Sequence, residues 1–225
     1  MRTPGHVADT ILCVEAQNLV RRNSDLLLAL ALICAAIYAG CNVFPRVRFD
    51  RERIEVWAAP QQIQVSGLYH YSNPSRLPAL LSLGLPFPVD AEHPRPSTYS
   101  VATATEDGRI VDYLRPMESR GEVRFRVPLL SHEEKWVRVD YVQGTSVMRG
   151  TYILVTTRKW RRPLEKGEYF LHLAGGLELA SSNYKPDVTT VGENTYSFSK
   201  IDFYPNEDWR FSWRETSHTA SAGNK

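Results

Sequence analysis

The pattern of apolar and polar residues divides the chain into two parts at Pro45. Residues 26–44 form one continuous apolar run, whereas apolar and polar residues alternate along several stretches that follow it. Alternation places one side of a strand in a core and the other in water, which is typical of half-buried antiparallel sheet. The clearest alternating stretches are Ile63–Tyr71, Val123–Leu129, Val137–Tyr141, Tyr169–Leu173 and Trp209–Trp213.

Turn residues separate these stretches and indicate the fold class. Asp107-Gly108, between residues 99–105 and 109–114, predicts a β-hairpin. About ten short strands without a convincing helix are best accommodated by two packed sheets. We therefore predict a mainly β fold, an antiparallel β-sandwich over residues 45–213, with a β-barrel as the alternative. Residues 214–225 are small and polar, and a disordered tail is expected there.

The apolar run at residues 26–44 predicts a single transmembrane helix. No charge interrupts it, and Asn42 is its one strongly polar residue. As a helix it would extend about 28 Å, close to the thickness of a bilayer's hydrocarbon core. A buried helix of a soluble protein is the alternative, but such helices rarely lack a polar face over about five turns. Residues 1–25 are expected to form a tail or an amphipathic helix.

A short motif inside this run gives the anchor a second interpretation. Tyr38-Ala39-Gly40-Cys41 resembles the lipobox of bacterial lipoproteins, with small residues at the two positions before the cysteine. Tyr38 departs from that pattern, because an aliphatic residue usually stands there. Cleavage with lipidation of Cys41 and an uncleaved single-pass helix both anchor the protein to a membrane.

The side of the membrane that the β domain occupies depends on two opposing considerations. Arg21 and Arg22 precede the apolar run, while four arginines follow it within residues 46–53, which favours a cytoplasmic β domain. Long domains, however, translocate with little regard for flanking charge, and β-rich domains behind one N-terminal anchor are commonly extracytoplasmic. We expect a periplasmic or extracytoplasmic β domain.

Composition and motifs exclude several classes of function. The net charge of +2 is too small for a nucleic-acid-binding domain. Cys13, Cys34 and Cys41 all precede the β domain, which therefore lacks disulfides, cysteine-ligated zinc and a cysteine nucleophile. The six histidines do not occur at metal-ligand spacing, and no phosphate loop or nucleophile elbow is present. His70 and His172 lie in predicted strands, where a structural role is expected. We predict no catalytic residue, no metal and no cofactor.

Residues 73–98 are a first candidate contact surface within the β domain. Prolines at positions 74, 78, 86, 88, 94 and 96 are expected to exclude a regular strand or a long helix. Leu80, Leu83, Leu85 and Phe87 make the segment apolar. It is expected either to wrap around the sandwich and bury its leucines or to contact a partner or lipid.

A second candidate surface follows the strand predicted at residues 151–157. Its cations surround one tryptophan, in the order Arg158, Lys159, Trp160, Arg161 and Arg162. Such a cluster suits anionic lipid headgroups, with the indole at the interface, or an acidic protein partner. The alternative is a solvated hairpin loop whose tryptophan folds back onto the core.

Three hypotheses for function follow. The first is a non-catalytic, membrane-anchored accessory subunit of a larger membrane complex, such as a photosynthetic or respiratory assembly, with membrane lipid and other subunits as partners. The second is a free-standing envelope lipoprotein or ligand-binding module. The third is an enzyme whose site is built from dispersed loop residues, which would bring titratable groups together in one pocket.

Overall fold

A computed structural model describes residues 47–119, 122–190 and 194–216. The predicted N-terminal tail, the apolar run 26–44 and the candidate lipidation site Cys41 lie outside these residues, as do residues 217–225. Among the residues that are described, no helix is long and apolar enough to cross a membrane.

The described residues form fourteen strands and one short 3-10 helix. In chain order the strands are β1 (Arg48–Ala59), β2 (Gln62–Ser72), β3 (Ala79–Leu85), β4 (Thr98–Ala104), β5 (Ile110–Tyr113), β6 (Met117–Ser119), β7 (Glu122–Leu129), β8 (Glu134–Gly144), β9 (Arg149–Tyr152), β10 (Leu164–Leu173), β11 (Leu177–Ser182), β12 (Val188–Thr190), β13 (Thr195–Phe203) and β14 (Trp209–Glu215). The 3-10 helix spans Val155–Trp160. The prediction of a mainly β fold is confirmed.

Three sheets make up the domain. The large sheet has the order β12-β13-β10-β1-β2-β8-β4-β5, and two three-stranded sheets have the orders β11-β14-β9 and β3-β7-β6. The pairing of β1 with β10 is parallel, whereas the other pairs are antiparallel, so the sheet is mixed and not antiparallel throughout. The large sheet ends at β12 and β5, and these described strands do not pair to close a barrel.

Side chains from all three sheets meet in one hydrophobic core, which gives the domain a sandwich-like form. The large sheet contributes Ile54, Val56, Val139 and Leu171, which are almost fully buried. The small sheets contribute Val123–Leu129 at alternate positions and the aromatic series Trp209, Phe211 and Trp213. Burial of each large apolar side chain is worth about 1.5–3 kcal/mol, so the alternation seen in the sequence is what holds the sheets together.

The hairpin predicted at Asp107-Gly108 is confirmed. β4 pairs antiparallel with β5, and Ala102 lies opposite Tyr113. Gly108 has a φ of 82°, a left-handed conformation that glycine adopts without steric cost. The turn is closed by the N–H of Thr105, which donates to the carbonyl of Arg109.

The prediction that prolines exclude a regular strand from residues 73–98 is wrong between residues 79 and 85. β3 pairs antiparallel with β7 along its whole length, from Ala79 opposite Leu129 to Leu85 opposite Val123. Pro78 and Pro86 stand immediately before and after this strand, so their missing N–H groups cost the ladder nothing. The prolines therefore bound the strand instead of preventing it.

The strand predicted at residues 151–157 ends early. β9 stops at Tyr152, and the chain turns into the 3-10 helix Val155–Trp160. The carboxylate of Asp208 accepts hydrogen bonds from the N–H groups of Leu154 and Val155, at 2.8 and 3.0 Å. Arg158–Trp160 therefore form the last turn of this helix, Arg161 is its C-cap, and Arg162 lies beyond it.

A candidate ligand-binding cavity

A cavity of about 490 Å³ opens between the large sheet and the sheet that contains β3 and β7. Its floor is formed by inward residues of β1, β2 and β8. Its rim is formed by residues 82–86 and by Ile153, Thr156, Thr157, Lys159 and Trp160. The two segments that the sequence indicated as contact surfaces therefore meet at one opening. Leu83 and Leu85 come from the first segment, and Lys159 and Trp160 from the second.

The other predicted contact residues do not line this cavity. The side chain of Leu80 is 61% exposed on the outer face of β3. Phe87 is buried, and its ring meets that of Tyr141 edge to face at 5.1 Å.

The remaining cations of the second segment also lie away from the cavity. The guanidinium of Arg158 lies over the ring of Tyr204 at 5.1 Å, and Arg161 and Arg162 are exposed.

One wall of the cavity is aromatic. The ring centroids of Phe49 and Trp160 lie 5.7 Å apart, those of Tyr71 and Trp160 5.6 Å, and those of Phe49 and Tyr71 5.2 Å. A bulge in β1 between Phe49 and Arg51 turns Phe49 to the inner face of the sheet. The tryptophan that the sequence placed either in a loop or on the core thus packs onto the core beside the opening.

Glu52 is the buried charged group of the cavity. It is 3% exposed, lies opposite Tyr69 on β2, and faces the cavity with its side chain. Tyr169 donates a hydrogen bond of 2.5 Å to Oε1, and Oε2 accepts none from the described residues. Burial raises the pKa of Glu52 from 4.5 to about 7, against the opposing effect of the Tyr169 hydrogen bond.

Two further phenols stand beside this carboxyl. The hydroxyls of Tyr69 and Tyr152 are 2.7 Å apart, so one donates to the other. Whichever of them donates, the other keeps its hydrogen for a third partner. Burial raises the pKa of both phenols well above its ordinary value, and the neighbouring Glu52 adds to the effect. They are therefore hydrogen-bonding groups that stay protonated.

Two glycines make room for the tyrosine side chains. A Cβ on Gly67 would lie 2.2 Å from the hydroxyl of Tyr69, and one on Gly167 would lie 2.6 Å from the hydroxyl of Tyr169. Each tyrosine folds back over the glycine two residues before it in the same strand. The sequence Gly-x-Tyr in β2 and β10 thus brings the phenols towards Glu52.

Charged residues stand at the rim. Arg124 and Glu122 form an ion pair of 3.3 Å, and Lys159 is exposed. This ion pair is open to solvent and contributes little to stability.

Sequence reasoning missed Glu52, although a signal was present. Glu52 is in phase with Ile54, Val56 and Ala58, so the alternation of β1 places an acidic residue among the inward-facing positions. A charged residue in phase with a buried face is unusual and often marks a functional site. The phenols are harder to find, because buried tyrosines are ordinary core residues.

A second cluster, Asp90, Glu92 and His93, has the composition of a metal site. Its ring nitrogens are engaged within the protein, since His93 Nδ1 lies 2.8 Å from Asp90 and Nε2 lies 2.9 Å from the carbonyl of Arg149. Glu92 pairs with the guanidinium of Arg149. These contacts hold the loop that leads into β4, which is a structural role.

No protein-family model and no curated protein matches the chain. Among solved structures it is similar to a "putative nutrient binding protein" from Legionella pneumophila, with 11% identity and a TM-score of 0.57 over 75% of this chain and 67% of that one. It is also similar to a mutant M1 zinc metallopeptidase from Deinococcus radiodurans, with 10% identity and a TM-score of 0.46. The match covers 74% of this chain and 42% of the peptidase chain, so this chain spans less than half of that enzyme. At these identities the first likeness shows the fold alone.

Proposed function

We propose that the β domain is a non-catalytic module that binds a small molecule in the cavity beneath β3 and the 3-10 helix. The observation that carries this proposal is the cavity of about 490 Å³ with a buried carboxyl at its floor. Ligand sites in proteins are typically concave, largely apolar, and equipped with a few convergent polar groups. Here aromatic rings and leucines supply the apolar surface, and Glu52, Tyr69 and Tyr152 supply the polar groups.

The structural neighbour agrees with a binding role. The Legionella pneumophila protein is described as nutrient binding, and the chain shares its fold at a TM-score of 0.57. At 11% identity this likeness does not identify the ligand. The proposal therefore depends on the cavity.

In this proposal the apolar run 26–44 holds the module at a membrane. Anchoring takes place through a transmembrane helix or through lipid at Cys41, and the module faces the extracytoplasmic side. Such a position would let the cavity capture a small molecule in the cell envelope.

The grouping of titratable residues in one cavity is also what the enzyme hypothesis predicts. A carboxyl with a pKa of about 7 suits general acid or base catalysis. The phenols beside it stay protonated because burial raises their pKa, so a catalytic pair would consist of Glu52 as base and a phenol as acid. We favour binding because the apolar and aromatic lining of the cavity supports it without a reacting group.

A blocked cavity tests the proposal. We expect a screen of small molecules, run on the full chain in mild detergent, to include ligands that raise the melting temperature by about 5 °C or more at saturation. Leu83→Trp should abolish these shifts, because Leu83 lines the cavity from the inner face of β3, and a larger side chain there fills the space that a ligand would occupy.

Gly175→Phe is the matched control. A side chain at Gly175 meets nothing within 4 Å, and this residue is not part of the cavity lining. The control variant should keep every shift that the unmodified protein shows. Ligands that stabilise all three proteins equally would place binding elsewhere and contradict the proposal.

A second candidate function is the accessory subunit of a membrane complex. The observation that favours it is the edge strand β5, where Val111 and Tyr113 are 66% and 63% exposed. Exposed apolar residues on a sheet edge are typical of a contact with another protein. Purification in mild detergent followed by mass spectrometry should then give stoichiometric partners that a Val111→Lys, Tyr113→Lys variant loses. Ile201→Lys, at an equally exposed position on β13, is the control.

A further inference from the structure

We propose that the cavity binds a small organic cation, an amine carried on an apolar body, and that Glu52 releases its proton when the amine binds. This inference rests on the proposed function and names the class of ligand for the same site.

The first argument is the incomplete bonding of the carboxyl. Glu52 is 3% exposed and receives one hydrogen bond, from Tyr169 to Oε1. Within the described residues no arginine or lysine forms an ion pair with it. A buried carboxyl is usually paired or fully hydrogen-bonded, so an acceptor that faces a cavity is a position for a ligand donor.

The second argument is the character of the surrounding groups. The titratable side chains that contact Glu52 or line the cavity around it are Tyr69 and Tyr71 on β2, Tyr141 on β8, Tyr152 on β9 and Tyr169 on β10. All of them are phenols that remain neutral. β3 contributes only Ser82–Leu85 to the lining, which carry no charge, and the charged groups Glu122, Arg124 and Lys159 stand at the rim. Among the described residues, the interior therefore holds one group that can become an anion and no cation to balance it.

The third argument is the aromatic wall. The faces of aromatic rings attract cations, and the attraction grows when the site is shielded from water. Phe49, Tyr71 and Trp160 present such a surface beside the opening. Leu83 and Leu85 offer apolar contact to the rest of the ligand. In this arrangement the ammonium group of the ligand pairs with the carboxylate of Glu52, and its apolar body packs against the aromatic rings and the leucines.

Proton release follows from the same arrangement. An isolated carboxylate in this environment is unfavourable, and the pKa of Glu52 is raised to about 7. An ammonium group removes that penalty, so the bound state contains an ion pair and the proton leaves to solvent. Below pH 7 this proton must be displaced before the pair forms, which weakens binding by up to about tenfold for each pH unit.

Isothermal titration calorimetry of the full chain with a matched pair of compounds tests the inference. The probes are 2-phenylethylamine and 2-phenylethanol, which differ in carrying an ammonium or a hydroxyl group. At about pH 8 the amine should bind at least tenfold more tightly than the alcohol. Between about pH 7 and pH 6 the dissociation constant of the amine should rise by up to tenfold, while that of the alcohol should not change. Titrations at about pH 6 in buffers of different ionisation enthalpy should show release of close to one proton.

Two variants separate the ligand class from the site itself. Glu52→Gln should weaken the amine at least tenfold and abolish proton release, whereas Glu55→Gln, on the outer face of the same strand, should leave both unchanged. Equal binding of alcohol and amine, with both lost in Leu83→Trp, would overturn the inference and keep the proposed function. Binding of the amine without proton release in the unmodified protein would overturn the inference as well.

Discussion

The two faces of strand β1 carry acidic residues that are bonded in different ways. On the outer face Asp50 lies 2.5 Å from Nδ1 of His70, and Ser72 donates to its second oxygen at 3.5 Å. His70 is itself 2% exposed and lies 3.3 Å from the guanidinium of Arg51. On the inner face Glu52 has Tyr169 as its one hydrogen-bond partner among the described residues.

This difference separates a structural cluster from a candidate binding site. The outer cluster directs its hydrogen-bonding groups at other protein groups, and the ring of Trp136 covers it at 4.7 Å from that of His70. Glu52, on the inner face, lines the cavity and has one carboxyl oxygen without a hydrogen bond from the described residues. Burial alone therefore does not indicate function in this domain; the number of protein partners around a buried polar group does.

Replacement of His70 by leucine should have the largest effect on stability. The substitution leaves the carboxylate of Asp50, which is 15% exposed, without its closest partner. Loss of one member of a largely buried pair costs about 3 kcal/mol or more, because the carboxylate then keeps only weak partners, the guanidinium of Arg51 at 3.9 Å and the hydroxyl of Ser72 at 3.5 Å. Urea unfolding of the full chain at neutral pH, followed by tryptophan fluorescence, measures this loss.

A double variant sharpens the result. His70→Leu combined with Asp50→Asn should cost less than the sum of the single changes, since the unpaired charge is removed along with its partner. Binding of a cavity ligand should be the same in all these variants, because the cluster lies on the opposite face of the sheet. Additive losses, or a loss below about 1 kcal/mol in His70→Leu, would contradict a paired structural role.

Replacement of Glu52 by glutamine should change how stability depends on pH. The pKa of this carboxyl is about 7 in the folded protein and 4.5 without the effect of folding. Between these values the folded state binds a proton that the unfolded state has lost, so stability falls as pH rises from about 4.5 to about 7 and is level above. The fall is at most about 3 kcal/mol, and Glu52→Gln should remove it.

The measurement is urea unfolding of both proteins at several values of pH between about 4 and 8. The expected result is a stability difference that favours the variant progressively as pH rises. Glu55→Gln controls for removal of a negative charge from the same strand. A constant difference between Glu52→Gln and the unmodified protein across this range would show that folding does not raise the pKa of Glu52.

Local sequence patterns identified several of the strands but not the site. Strict alternation identified β7, β8 and β14, and Asp107-Gly108 identified the β4–β5 hairpin, because both signals are local. The parallel pair of β1 and β10 joins residues more than a hundred positions apart, and no local pattern encodes such a pairing. The prolines led to the wrong prediction that residues 73–98 contain no regular strand, because proline occurs at the ends of strands as well as at interruptions.

The candidate site depends on the same long-range pairing. Glu52 meets Tyr169 across that parallel register, while Tyr69 meets Tyr152 between two different sheets. The two contact segments were recognised separately from their apolar and cationic residues, yet nothing in the sequence placed Leu85 and Trp160 at one opening. An acidic residue in phase with buried positions of β1 was the one local signal of the cavity.

Alanine at Gly67 should have the smallest of the three effects and tests how the phenols are positioned. Its Cβ would lie 2.2 Å from the hydroxyl of Tyr69, so that ring must move and its hydrogen bond to Tyr152 must lengthen or break. Overpacking of this kind costs about 1–3 kcal/mol.

Gly84→Ala is the matched control, because the atom closest to the added Cβ is the mobile carboxylate of Glu122 at 3.2 Å. We expect Gly67→Ala to lower stability in urea unfolding and to weaken any cavity ligand that uses the phenols, with Gly84→Ala close to the unmodified protein in stability. Equal stability and binding in both variants would mean that Gly67 does not set the position of Tyr69, and the inner face would then owe its geometry to the sheet pairing alone.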